Sequence, residues 1–240
     1  MIKMKLAAIA VVISAMAICS FSIKPKADNT LSKAEKREGW KLLFDGKSLE
    51  GWRPYQNKET NSWMVEKGVF HCKGSTTDKS DKQADILIKN EFENFELSID
   101  WKISPKGNSG ILYMVTEEYP AAYQSGPEYQ IIDDINFPQK LEDWQKTGAN
   151  YAMDAAPLAS PHPAGEWNTT QIVVNKGQVQ HWLNGKKILD FEMWNSEWKK
   201  KKMEGKWKDA PGYGLAKRGH IALQDHGSEA WFKNIKIKEL

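Results

Sequence analysis

The chain has 240 residues, 27% of them charged and 40% hydrophobic, with 17 Gly and 10 Pro. That balance excludes wholesale disorder and collagen-like repeats, and the length suits a single domain whose core needs no covalent staples. The formal charge of +3 falls to −1 once Lys3, Lys5, Lys24 and Lys26 are set aside, so the remainder has no global pull toward nucleic acid or anionic lipid.

The amino terminus reads as an address. Two lysines lie in Met1–Lys5, and Leu6–Ile18 is uncharged and apolar. That stretch is shorter than the roughly 20 residues of a membrane-spanning helix, so no span is expected. A charged start, a short apolar core and Ala15-Met16-Ala17 at its end describe a secretory signal peptide. Cys19 opens a second route, a lipid anchor, although Ile18 stands where lipoprotein processing takes a small residue. Both routes predict an exported protein, in the periplasm or on the cell surface. The expected division is 1–27 as signal peptide and start of a tether, 28–39 as a polar tether, and 40–240 as one domain; the polar, Lys/Glu-rich residues 24–38 read as a tether or a short helix. Two cysteines, Cys19 and Cys72, make neither a disulfide framework nor a Cys-based zinc site.

From Trp40 onward the pattern is strand. Phe92–Ile103 alternates, with Phe95, Leu97, Ile99, Trp101 and Ile103 on one face and Glu96, Ser98, Asp100 and Lys102 on the other. Ile111–Val115, Tyr129–Ile132, Thr170–Asn175, Gln178–Leu183, His220–Gln224 and Trp231–Lys238 are further strands. Asn175-Lys176-Gly177 and Asn184-Gly185 supply hairpin turns. Phe137–Gly165 lacks alternation and reads as a long excursion over the sheet. Trp194–Gly212, with its lysines and with Trp198 and Trp207, reads as a solvated loop whose rings cover a sheet edge. No long period-3.6 stretch follows the leader. These elements predict an all-β antiparallel sandwich or jelly roll with long loops.

Eleven tryptophans suit both a sandwich core and sugar stacking. Alternation places Trp101, Trp182 and Trp231 in the core, while Trp52, Trp144 and Trp167 beside turns are ligand candidates. The sharpest stretch is Ser125–Asp134. On a strand Glu128 and Gln130 share a face, and a bulge would bring Asp133 to it, making a row able to bind hydroxyls and move a proton. In Gly219–Gly227, Gln224 and His226 share a face, and histidine titrates nearest neutral pH. His181 is a further candidate. No phosphate-binding loop, Gly-x-Ser-x-Gly elbow or His-Glu-x-x-His is present.

Seven segments in order, Trp40–Trp52, Gly107–Ile111, Ser125–Asp133, Gly148–Tyr151, Gly165–Asn168, Trp182–Gly185 and Gly219–Gly227, resemble the 3-keto-disaccharide hydrolase domain family. Tyr113 departs from the arginine often found there in the family. The resemblance implies a concanavalin A-like jelly roll and an exported carbohydrate-active enzyme acting on an oxidised glycoside. It implies abstraction of the acidic C2 proton next to a C3 ketone and loss of the C1 substituent, followed by water addition where the net result is hydrolysis. His226 or Glu128 is the expected base. Gln130 and Gln224 would orient hydroxyls, and Asp133 would tune the histidine or assist the leaving group. Asn108, Tyr151, Trp167 and His181 join them as substrate contacts. A divalent cation is a candidate cofactor, with Glu128, His181 and His226 as the nameable ligands. No nucleic-acid partner is expected.

Rival readings come from other classes. A direct retaining glycoside hydrolase would use Glu128-x-Gln130-x-x-Asp133 as its carboxylate row, which requires two carboxyls about 5–5.5 Å apart. A non-catalytic carbohydrate-binding module would rely on exposed tryptophans alone. A purely structural surface protein is the third rival, and the polar strand faces argue against it.

Overall fold

The computed structural model describes residues 27–74 and 80–240; the leader and Cys19 lie outside these residues. Among the described residues thirteen strands form two antiparallel sheets packed face to face. They are β1 (Lys41–Leu42), β2 (Trp52–Pro54), β3 (Trp63–Glu66), β4 (Val69–Lys73), β5 (Ile86–Phe92), β6 (Phe95–Ile103), β7 (Asn108–Val115), β8 (Glu128–Ile132), β9 (Asn168–Asn175), β10 (Gln178–Leu183), β11 (Lys186–Glu192), β12 (Gly219–Leu223) and β13 (Glu229–Glu239). The larger sheet runs β11-β10-β9-β6-β13-β4-β3, with β1 also on β13, and the smaller runs β2-β5-β12-β7-β8. The expected all-β sandwich is the observed one.

Period two builds the core. Phe95, Leu97, Ile99, Trp101 and Ile103 of β6 meet Ile111, Tyr113, Tyr129, Ile131, Ile221 and Leu223 from the smaller sheet, all buried. Each such side chain contributes about 1.5–3 kcal/mol on burial. Lys176-Gly177 and Asn184-Gly185 both have two consecutive positive φ angles, the geometry that closes a tight hairpin with the strands' own twist. These turns fix the register of β9, β10 and β11.

Three expectations need correction. Phe92 ends β5 rather than beginning the β6 run, because the chain turns at Glu93-Asn94. Trp231 and Trp182 are only half-buried on the outer face of the larger sheet, while Phe232 points inward; Trp52 is core and donates its indole N–H to Leu43 O. Trp194–Gly212 contains a helix, α2 (Ser196–Glu204), started by the Asn195 side chain accepting from Trp198 N, and a 3₁₀ turn at Lys206–Asp209. Nine helical residues are too few to display a periodicity. The segment 28–39 contains the short helix that 24–38 allowed, α1 (Lys33–Arg37), and lies against the larger sheet: Asn29 N and Asn234 N donate to each other's side-chain oxygens, and Lys236 pairs with Glu35. No helix among the described residues is long and apolar enough to cross a membrane.

The outward face of the smaller sheet carries the polar row. At one end Tyr55, Leu87, Leu112, Val115, Ala122 and Ala222 make a second, small apolar cluster. Beside it, β7, β8 and the residue that follows β12 present Asn108, Glu128, Gln130 and Gln224.

Candidate active site

A cleft of about 270 Å3 opens on this face, lined by Asn108, Glu128 and Gln130 from the sheet, by Gln224 and His226 just past β12, and by Tyr123, Tyr151, Lys206 and Trp207 from the loops above it. Adjacent strands place the sheet residues. Gly110 pairs with Gln130 and Leu112 with Glu128 in the β7–β8 ladder, and Gln224 N donates to Gly110 O at 3.0 Å. Glycine at 110 is a spatial requirement: a Cβ there would lie 2.5 Å from Glu128 Oε1.

The walls come from the two excursions. Gly148–Tyr151 runs beside β8, with Gly148 N donating to Gln130 O at 2.9 Å and Tyr151 N to Glu128 O at 3.0 Å. Lys206 projects over the Tyr151 ring, 4.2 Å from its centroid, and donates to Tyr151 Oη at 3.2 Å. Trp207 donates its indole N–H to Tyr151 O and stacks on Tyr213 at 4.2 Å. The stack continues through Trp198 to Phe191, so α2 and the 3₁₀ turn are pinned to the sandwich edge by aromatic surface.

Glu128 is the buried floor of the cleft. Burial pushes its carboxyl up to about 8; the negative charge of Asp85 adds to the rise and Lys206 opposes it. At neutral pH this group is therefore mostly protonated. Two acceptors beside it, Asn108 Oδ1 and Gln224 Oε1, are buried without a hydrogen-bond partner. Buried polar atoms are normally satisfied, so these are poised for groups a ligand would bring. His226 stands exposed at the rim.

The structure thus brings Glu128, Gln130, Gln224, His226, Asn108 and Tyr151 together. It does not bring Asp133, His181 or Trp167. β8 pairs with β7 in unbroken register, so no bulge turns Asp133 toward the cleft. Its carboxylate instead accepts from the backbone N–H groups of Lys106, Ile135 and Asn136, which hold it below the usual carboxylate range despite its burial. The carboxylate row required for direct retaining hydrolysis is therefore not formed by Glu128 and Asp133. His181 is wholly buried between the sheets, with Nδ1 donating to Gly148 O at 2.8 Å and Nε2 facing Tyr113 Oη at 3.2 Å; burial lowers its pKa to about 4. Tyr113 also points into the core, so the departure at this position leaves the cleft untouched. Trp167 sits under Lys102 and Lys233, two side chains of the larger sheet. Trp144 packs edge-on against Tyr151 without lining the cleft.

With His181 in the core, the cleft offers a cation Glu128, His226 and two amide oxygens. Among the described residues no group of three or more His, Cys, Asp or Glu is placed to hold a metal. One carboxyl, itself neutral at pH 7, is a poor fit to a hard divalent ion. Lys206, Tyr123, Trp207 and Asp85 are not among the residues that the sequence pattern singles out. Lys206 and Trp207 lie in the basic, aromatic segment 194–212, whose interleaved lysines and tryptophans are the signal that points to them.

Comparison with known proteins agrees with this architecture. Residues 39–238 match the 3-keto-alpha-glucoside-1,2-lyase-like domain. A 3-keto-disaccharide hydrolase of Bacteroides thetaiotaomicron is 32% identical over 247 residues, covering 92% of this chain and 85% of the relative. Two solved structures of candidate glycosyl hydrolases from Parabacteroides distasonis are also similar. One is 43% identical, with a TM-score of 0.82 over 89% of this chain and 100% of that one. The other is 30% identical, with a TM-score of 0.63 over 84% and 99%.

Proposed function

The chain belongs to the 3-keto-alpha-glucoside-1,2-lyase-like domain family, and on that premise we propose that this carbohydrate-active hydrolase cleaves 3-keto glycosides by elimination and rehydration. The observation that carries the proposal is a protonated buried carboxyl, Glu128, sharing one cleft with a lysine ammonium and an imidazole.

A ketone at C3 acidifies the C2 proton. His226 at the rim takes that proton, and the electron pair moves onto the C3 oxygen as an enolate. Lys206 supplies a positive charge facing it, held in place by Tyr151. Collapse of the enolate restores the ketone, forms the C1–C2 double bond and breaks the C1–O bond. The departing oxygen takes the Glu128 proton, so the leaving half goes as a neutral alcohol. Water adding across the double bond gives net hydrolysis. Asn108, Gln130 and Gln224 hold sugar hydroxyls in this scheme, and the unpartnered oxygens of Asn108 and Gln224 support it. The leader-like residues 1–27 support export to the periplasm or cell surface, with Cys19 as the site of a lipid anchor in the alternative route.

The test is incubation of the protein with a 3-keto glucoside and, separately, with its unoxidised parent, each with and without chelator. Cleavage of the keto sugar alone, unaffected by chelator, is expected. Cleavage of the parent, or of neither, overturns the reading.

A further inference from the structure

Deepening the reaction reading above, on which it rests, we propose that a second cleft adjoining the Glu128 site is a subsite for the leaving half of the substrate, a neutral polyhydroxylated sugar. This cleft measures about 230 Å3, close to the 270 Å3 of the first, and the two share Tyr123, Gln224 and His226 as a common wall. Two adjoining chambers of similar size suit the two sugars of a disaccharide, with the scissile bond at the shared wall. That places the bond beside His226. Gln224, whose residue is 7% exposed and whose Oε1 is buried without a partner, lines both chambers.

The charges divide in the sense the reaction needs. The first chamber holds the Lys206 ammonium and a neutral Glu128, which favours the enolate oxygen. The second holds two aspartates, Asp85 and Asp225, against one cation, Lys58. Lys58 Nζ is already committed to Pro120 O at 2.7 Å and lies over the Tyr55 ring. The aspartates are tied together, with Asp225 N donating to Asp85 Oδ1 at 3.0 Å, and Gln83 Nε2 reaches Asp225 Oδ1 at 3.4 Å. Carboxylates fixed in this way accept hydrogen bonds from sugar hydroxyls and repel an anion. The exposed ring of Tyr123 offers an apolar face at the junction.

Saturation-transfer NMR with D-glucose and with D-gluconate tests the subsite without requiring turnover. Glucose is expected to bind the wild type, gluconate at least tenfold more weakly. Ala121→Trp, which fills the second chamber from its own wall, is expected to weaken glucose at least tenfold; Gln83→Trp does the same from an exposed position should the first variant not fold. In turnover, Ala121→Trp is expected to lower kcat/KM for a 3-keto disaccharide at least tenfold relative to a 3-keto methyl glucoside. Equal glucose binding by wild type and a folded blocking variant overturns the proposal, as does equal binding of gluconate or no glucose binding at all. Glucose binding that the variants abolish, in a protein that cleaves no keto sugar, sustains the subsite and overturns only the reaction.

Discussion

Gly110 and Glu128 are cross-strand neighbours that share one volume: the space left by the absent Cβ of the glycine is occupied by the carboxyl of the glutamate, 2.5 Å from where that Cβ would stand. The backbone of Gly110 is not in the left-handed region, so alanine fits the strand and the displaced part is the end of the Glu128 side chain. Gly110→Ala is therefore expected to fold and to lose about 10- to 100-fold in kcat, since a shift of about 1 Å at a reacting group costs on that order. Steady-state kinetics with a circular-dichroism control checks it, and wild-type kcat in a folded variant contradicts it.

Glu128 as proton donor sets the alkaline side of the pH profile. Wild-type kcat/KM should fall as pH rises through about 8, where the carboxyl ionises. Glu128→Gln should lose about 10²–10⁴-fold on an alkyl glycoside. It should lose far less on a nitrophenyl glycoside, whose oxygen leaves without a proton. A rate that climbs through pH 8 would instead make Glu128 the base.

The same group couples activity to stability. Its folded pKa of about 8 lies above the ordinary 4.5, so protonation favours the fold; that stability is complete below 4.5 and drains away as pH rises to 8. Glu128→Gln has no such loss. Chemical denaturation of the two proteins should match near pH 4 and diverge by ~3 kcal/mol at pH 7 in favour of the variant. A constant gap across this range would contradict a buried, neutral carboxyl.

Lys206→Met removes the charge facing the enolate and is expected to lower kcat by about 10²-fold. It also removes the cation that holds the Glu128 pKa down, so the alkaline limb should move to higher pH. Loss of rate with an unmoved limb would separate Lys206 from Glu128.

His181→Ala should act on the fold rather than the reaction. It strands Tyr113 Oη and Gly148 O in the core and leaves a cavity, a loss of about 3 kcal/mol. The kcat of the folded fraction should stay within a few-fold of wild type, and a selective loss of turnover at unchanged stability would restore His181 to the site.

Strand alternation carried much of the site. Glu128 and Gln130 are two apart on β8, and Gln224 and His226 two apart after β12, so period two placed each pair on one face. The same rule, applied through Val179, His181 and Leu183, puts His181 among core residues, and its polarity obscured that. Asp133 needed a bulge that β8 does not make. Lys206, Trp207 and Tyr123 come from turns whose position depends on aromatic stacking between distant segments, which no local pattern encodes. Asp85 stands at the mouth of β5, and only the fold brings it near Glu128.

The Asn29–Asn234 clasp and the Asp28–Lys233 ion pair fasten the start of the domain to the outer side of the larger sheet, while the cleft opens on the outer side of the smaller one. The two are separated by the full thickness of the sandwich. A bead, a fluorophore or a fused partner joined at residue 27 would sit behind the molecule, with the mouth facing free solution.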